Sequence, residues 1–389
     1  MIKAKKSLGQ NFLTDRNILE IISNITPINN KTILEHQLEL LKESGFKNVG
    51  ILAGYEANKI INFVDNYQIS INIDVIVETH PLGTGGALKS VVNAIDSKCL
   101  VMYGDTYLTV NLSKFFHSLG NSDGLLFTHP NNHPHDSDLI EVNEEGRVQK
   151  ILAYPHPKNL IAANNTNAAL YVFNREPLKR TLYSMHGAFD IAKNLLPKML
   201  KDNCSIHTYN SSEYIHDMGT PERLEKVIKD IKSGFTDPKR KSPAIFLDRD
   251  GTVIEEDGYI TSHEQVRLIP NIAEAINYFH ELGFKVFLLT NQPVLARGDI
   301  TKKEFNYIQN KMQTMLGKYS AYFDGIYFCP HHPDSGYEGE IKELKMYCDC
   351  RKPGIGMLNN LVDEHSFDLS KSIMIGDTWR DAEFYFVYN

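Results

Sequence analysis

Short apolar segments alternate with amphipathic stretches along most of this chain, and one breaker-rich segment interrupts the rhythm. Apolar runs at 49–53, 72–77, 100–103, 125–128 and 168–173 read as strands, and 33–44 and 221–232 read as helices. The stretch 233–243, Ser-Gly-Phe-Thr-Asp-Pro-Lys-Arg-Lys-Ser-Pro, combines Gly, Pro and charge, which is linker chemistry. Beyond it the rhythm resumes. Strands are predicted at 244–247, 285–289, 325–328 and 372–375, with helices at 272–282, 302–316 and 356–364. Strands alternating with helices give largely parallel sheets covered on both faces. The expectation is an α/β chain of two doubly wound, Rossmann-like domains, 31–232 and 244–389, joined by the linker 233–243. In such sheets ligands sit beyond the carboxyl ends of the strands.

The 389-residue length accommodates two or three domains. A net charge of −7 argues against a general nucleic-acid binder, which needs a basic surface. No apolar run is long enough to span a bilayer. The basic start MIKAKKSLGQNFLTD is not followed by the apolar stretch of a signal peptide, so a cytoplasmic location is expected. Cys99 and Cys204 stand alone and read as small buried hydrophobes, whereas Cys329, Cys348 and Cys350 cluster near two histidines. In a reducing compartment that cluster reads as metal-binding.

The motif Phe246-Leu-Asp-Arg-Asp-Gly-Thr-Val253 places Asp248 and Asp250 at the end of an apolar strand, with Gly251 to turn the chain. Two carboxylates so placed can divide a phosphoryl-transfer reaction. One attacks phosphorus to form an aspartyl-phosphate; the other protonates the leaving oxygen and then activates water. Three further strand ends support this. Leu288-Leu-Thr-Asn-Gln292 offers a hydroxyl and two amides for phosphate oxygens. Arg351-Lys352-Pro353 offers fixed cations for the transferring group. Ile373-Met-Ile-Gly-Asp377 offers a carboxylate that, with Asp248, suits the hard cation Mg2+. Separately, Cys329-x-His331 and Cys348-x-Cys350 supply three thiolates and one imidazole, a closed structural zinc set. His332 is a rival nitrogen ligand, and the Cys-x-His spacing favours His331.

These stretches, FLDRDGTV, LLTNQPVLARG, CPHHP with CDCRKPGIGM, and IGDTWRD, resemble the haloacid dehalogenase superfamily, in its heptose-bisphosphate and histidinol-phosphate phosphatase branch. The resemblance implies that Asp248 is nucleophile and Mg2+ ligand, and that Asp250 is acid/base and binds the metal through its main-chain carbonyl. It implies that Thr290, Asn291 and Lys352 hold the phosphate, Arg351 contacts substrate, Asp377 completes the metal site and Asp381 orients the lysine. It also favours His331 as zinc ligand. The family continues past Asp381 into a helix and a further strand, whereas this sequence ends at Asn389, so a shortened sheet is expected.

Residues 31–232 resemble sugar-phosphate nucleotidyltransferases, most closely heptose 1-phosphate guanylyltransferases, through KTILEHQLELLKESGFKNV, ETHPLGTGGALKSV, VMYGDTYLTVNL and YIHDMGTPERLEKV. The Gly-rich turn at Gly83, Thr84 and Gly85 would let backbone approach a nucleotide, and by the resemblance Asp105 and Asp217 would bind Mg2+. The family's opening strand, its basic Gly-rich loop and a Pro-Lys-Pro lysine are missing, and Ala169 stands where the family usually has Gly. In their place the first 30 residues resemble the start of ribosomal RNA adenine dimethyltransferases, with Asn11 and Leu13 at cofactor-contacting positions but no cofactor loop after them. No methyltransferase activity and weak or no nucleotidyl transfer are expected. The expected function is Mg2+-dependent hydrolysis of a sugar bisphosphate, specifically the 7-phosphate of D-glycero-D-manno-heptose 1,7-bisphosphate. Histidinol phosphate as substrate, a bifunctional enzyme and an inactive fusion remnant are the alternatives. A small-molecule sugar phosphate, with no nucleic acid or membrane, is the expected partner.

Overall fold

The structure is a computed structural model that describes residues 31–256, 258–365 and 367–388. The N-terminal fragment 1–30, with Asn11 and Leu13, lies outside the described residues. By internal contacts the chain divides into two compact units. The first comprises residues up to Thr128, Ile140–Ala153 and Asn167–Pro238; the second comprises His129–Leu139, Tyr154–Thr166 and the chain from Lys239. Two excursions from within the predicted first domain therefore belong to the second unit. In that unit Thr314 Oγ1 bonds both the amide and the carbonyl of Ala162, each at 3.1 Å, and Gln313 Oε1 accepts from Asn164 N at 3.0 Å.

In the first unit, helix Ile33–Glu43 starts at a capping box in which Thr32 and Glu35 satisfy each other's backbone amides. Strands β1 (Asn48–Ala53) and β2 (Asn72–Val77) pair in parallel as a sheet of their own. The larger sheet holds β3 (Lys98–Met102), β5 (Gly124–His129), β6 (Leu139–Val142), β7 (Val148–Leu152), β8 (Thr166–Asn174) and β9 (Ile206–Asn210). It is mixed rather than largely parallel: β5 and β9 run parallel, but β8 pairs antiparallel with β3 and β6. β4 (Thr106–Leu108) pairs antiparallel with β10 (Ile215–Asp217), opposing Thr106 to Asp217.

In the second unit, β11 (Ala244–Leu247), β12 (Lys285–Asn291), β13 (Gly325–Cys329) and β14 (Ile373–Ile375) form one parallel sheet in the order β13-β12-β11-β14. Every residue of β11 is buried, as a central strand covered on both faces must be. One face packs Ile245, Leu247, Val286 and Leu288 under helices Ile272–Glu281 and Lys302–Gly317; the other packs Phe246, Phe287 and Leu289 with Leu358 and Leu361 of helix Gly356–Glu364. Each such side chain contributes about 1.5–3 kcal/mol on burial, so a charge at Leu288 would break the sheet's core. The chain moves outward from β11 to β12 and β13, then returns to lay β14 on the other side of β11. That reversal opens a crevice at the carboxyl ends of β11 and β14. Among the described residues no helix is long and apolar enough to cross a membrane.

Candidate active site and metal clusters

Asp248 follows β11 directly, and its N–H donates to Ile375 O of β14 at 2.9 Å, so the sheet itself aims the residue into the crevice. Its carboxylate is buried. Burial pushes the Asp248 carboxyl above its ordinary value; the Lys352 ammonium opposes this, and Asp381 adds to it. Lys352 Nζ donates to Asp248 Oδ1 at 2.8 Å, Leu289 O at 2.7 Å and Asp381 Oδ1 at 2.6 Å, so its three hydrogens are all committed to the protein. Asp381 Oδ2 in turn accepts from Thr378 N and Oγ1 at 3.1 and 2.7 Å. Carboxylate oxygens of Asp248, Asp377 and Asp381 lie within 4.8 Å of one another. Gly251, at φ +75°, runs so close that a Cβ would fall 2.2 Å from Asp377 Oδ2. The glycine is needed for that approach as well as for the turn.

The Asp250 side chain is not in that carboxylate set and is held by two neighbours. Arg249 grips it with Nε on Oδ1 at 2.9 Å and Nη2 on Oδ2 at 3.0 Å, and Gln292 Nε2 reaches Oδ2 at 2.8 Å. Gln292 also donates to Thr290 Oγ1 at 2.8 Å, with both side chains buried. Its amide was expected to face phosphate; it is spent on these two partners instead. Asn291 is likewise committed: Nδ2 donates to Lys352 O at 3.0 Å and Oδ1 accepts from Lys352 N at 2.9 Å. Asn291 thus fixes the lysine's main chain. Sequence reasoning gave Arg249 no role; its place between two motif aspartates was the available signal.

At the end of β13, Cys329, His331, Cys348 and Cys350 bring their ligand atoms within 4.8 Å of one another. Cys350 Sγ is 3.1 Å from Cys329 Sγ, 3.3 Å from Cys348 Sγ and 3.2 Å from His331 Nδ1. Burial, then the neighbouring Cys350, pushes the Cys329 thiol up. His332 is not in this cluster; its Nδ1 accepts from Asp334 N at 3.2 Å. Arg351 Nη1 donates to His331 O at 3.2 Å, tying the next residue of the loop to the knuckle.

In the first unit, the predicted Gly-rich turn is the start of helix Gly83–Val91. The close approach its glycines permit is to a neighbouring segment: a Cβ at Gly83 would lie 2.4 Å from Phe189 O, and one at Gly85 2.6 Å from the Phe189 ring. Thr84 Oγ1 donates to Asp190 Oδ2 at 2.8 Å. Asp105 and Asp217 do come together. Burial, then the Asp217 charge, raises the Asp105 carboxyl. Burial would raise Asp217 too, but Arg223, 2.7 Å away, brings it below its ordinary value.

Two sequence families match this chain: nucleotidyl transferase over residues 21–234 and haloacid dehalogenase-like hydrolase over residues 170–384, each more than half its length. The chain belongs to both families. Within its haloacid dehalogenase-like part it is 40% identical over 141 residues to D-glycero-beta-D-manno-heptose-1,7-bisphosphate 7-phosphatase of Yersinia pestis, covering 36% of this chain and 73% of that protein. The enzyme of the same name from Escherichia coli K12 is 38% identical over 141 residues, with 36% and 72% covered. The solved structure of HddC from Yersinia pseudotuberculosis overlays at a TM-score of 0.46 and 24% identity, over 54% of this chain and 89% of its own. The haloacid dehalogenase-like part is a phosphatase of the kind that uses Mg2+. The converging oxygens of Asp248 and Asp377, with the glycine-lined approach beside them, fit a hard cation.

Proposed function

We propose that the haloacid dehalogenase-like unit hydrolyses the 7-phosphate of D-glycero-D-manno-heptose 1,7-bisphosphate through an aspartyl-phosphate. One observation carries the chemistry: Asp248, Lys352, Asp377 and Asp381 converge at the β11/β14 crevice. The substrate rests on the two named relatives, which share this unit at 38–40% identity. Asp248 Oδ attacks phosphorus while the bond to the leaving oxygen breaks and Asp250, as the acid, gives that oxygen its proton. Water then bonds to phosphorus, its proton passes to Asp250, and the Asp248–phosphate bond breaks. Asp248 and Asp377 would hold magnesium, whose charge lowers the repulsion between phosphoryl oxygens and the incoming carboxylate. The buried Lys352 ammonium keeps Asp248 oriented and offsets charge that builds on the transferring group. Thr290 donates its hydroxyl to the phosphate, and Arg351 meets the rest of the substrate.

The cysteine–histidine cluster would hold a structural zinc ion, with three thiolates and one imidazole as its ligands. It is supported by the ligand set and its mutual distances.

The decisive experiment measures phosphate release from heptose 1,7-bisphosphate and from histidinol phosphate, with and without Mg2+, by the chain and by Asp248→Asn. The expected result is Mg2+-dependent release favouring the heptose bisphosphate and lost in the variant. Preference for histidinol phosphate would overturn the substrate, and no release from either would overturn the enzyme reading.

A further inference from the structure

Arg249 heads the fully buried side chains of the described residues by size, an unusual place for a guanidinium. It is held from behind by helix Lys302–Gly317: Nη1 donates to Gln309 Oε1 at 3.2 Å, and its guanidinium carbon lies 5.9 Å from the centre of the Phe305 ring. In front of it is one carboxylate, Asp250, gripped through two parallel bonds. Such a fork fixes the plane of a carboxylate as well as its position, which a single ammonium cannot do.

Gln292 completes the clamp. One hydrogen of its amide goes to Asp250 Oδ2 and the other to Thr290 Oγ1, each at 2.8 Å. Among the described residues Asp250 Oδ2 accepts twice and Oδ1 once, so Oδ1 keeps the open site for a transferable proton. Thr290 Oγ1 accepts from Gln292, so its own hydrogen is left to donate toward a phosphoryl oxygen. One buried amide thus sets both the acid/base carboxylate and a phosphate-holding hydroxyl.

We propose that Arg249 and Gln292 are positioning residues for the phosphatase reaction, directing Asp250 Oδ1 as the oxygen that carries the proton, with Gln292 also aligning Thr290. This rests on the reading of Asp250 as acid/base. Each acts through the group it holds.

The test uses the full chain with Mg2+ and two substrates. Heptose 1,7-bisphosphate has a poor leaving group that needs a proton, whereas p-nitrophenolate leaves without one. Arg249→Lys should lower kcat on the sugar bisphosphate by roughly 10²-fold with KM little changed, while the first-turnover burst of p-nitrophenolate stays within about threefold. Gln292→Leu, the second variant should the buried Arg249 position not tolerate lysine, should lower kcat on the sugar bisphosphate about tenfold and raise KM for both substrates, because Thr290 loses its alignment. The proposal is overturned if sugar-bisphosphate turnover is unchanged in both variants, or if burst and turnover fall by the same factor. Asp250→Asn reports on the underlying reading. It should abolish sugar-bisphosphate turnover yet keep the burst; if it loses both equally, the acid/base assignment itself fails, whatever the other variants do.

Discussion

The Lys352 ammonium lies 2.8 Å from Asp248 Oδ1, with both side chains buried where β11 meets the crevice. Its second carboxylate, Asp381, is closer still at 2.6 Å. Lys352→Met would keep the side chain's length and remove its charge, leaving two buried carboxylates facing each other. Breaking a buried pair in this way costs about 3–5 kcal/mol. The expected outcome is a lower melting temperature together with a fall in kcat of about 10²-fold or more. Calorimetry and steady-state kinetics on the same preparation check both. A variant with unchanged kcat would remove Lys352 from the catalytic arrangement even if the protein were less stable.

Much of that arrangement was legible in the chain. Asp248, Lys352 and Asp377 each stand at or just past a strand end or in a short motif whose spacing places it, Asp381 followed only from the family resemblance, and the parallel sheet carries the four together. What the sequence did not disclose was orientation. Gln292 follows Thr290 and Asn291, and three adjacent polar residues all read as phosphate ligands. Only the fold shows that Gln292 turns toward Asp250 and Asn291 toward the Lys352 main chain. The glycines at 83–86 gave the same difficulty: their pattern signals a close approach but not that Phe189 is what approaches. Nor can apolar runs announce their pairing. Strands β1 and β2 have the composition of a larger sheet yet pair only with each other among the described residues. The contact of Ala162 with Thr314 spans 152 residues and leaves no local trace.

Ala169 occupies φ +55° inside β8, in the left-handed region where its methyl crowds the following carbonyl. That conformation costs a residue with a Cβ about 1–2 kcal/mol. Glycine relieves the crowding but gains freedom in the unfolded chain, which returns roughly 0.5–1 kcal/mol. Ala169→Gly should therefore stabilise the first unit by about 0.5–1 kcal/mol, read as a higher urea midpoint at constant slope. A decrease in the midpoint would mean that methyl packing outweighs the strain.

Asp324 is buried against His280, whose Nε2 lies 2.9 Å from Oδ2, and the same oxygen accepts from Val286 N at 2.8 Å. Burial alone would raise this carboxyl. The His280 hydrogen bond and charge, the Lys285 charge and the Val286 N–H outweigh it and hold the carboxyl below its ordinary value. A lowered folded value means that the unfolded chain binds more protons in the acid window, so stability there rises with pH. The contribution is complete above the unfolded aspartate value of about 3.9 and disappears as pH falls through the lower folded one. Asp324→Asn should cost about 2 kcal/mol at neutral pH, and the difference from the parent should shrink steadily as pH falls below the unfolded aspartate value of about 3.9. Urea titrations across that range check it. A difference independent of pH would show that shape, not charge, holds this corner.

The loop between the zinc knuckles is fastened to the active-site side of the sheet. Ile341 N donates to Ala296 O at 3.0 Å, and Gly298 passes so close to Gly339 that a Cβ would sit 2.0 Å from its carbonyl oxygen. Arg351 donates to His331 O, and Lys352 is its chain neighbour. Removing the metal should therefore loosen a substrate contact without touching Asp248. Cys350→Ser is expected to abolish bound zinc, lower the melting temperature and reduce kcat/KM by roughly 10-fold or more through misplacement of Arg351. Chelation of the parent should do the same reversibly, with activity returning on added Zn2+ but not on added Mg2+. Elemental analysis of the purified chain decides the matter. A protein that carries no zinc yet retains full activity and stability would leave the three thiols and one imidazole as a packed polar cluster.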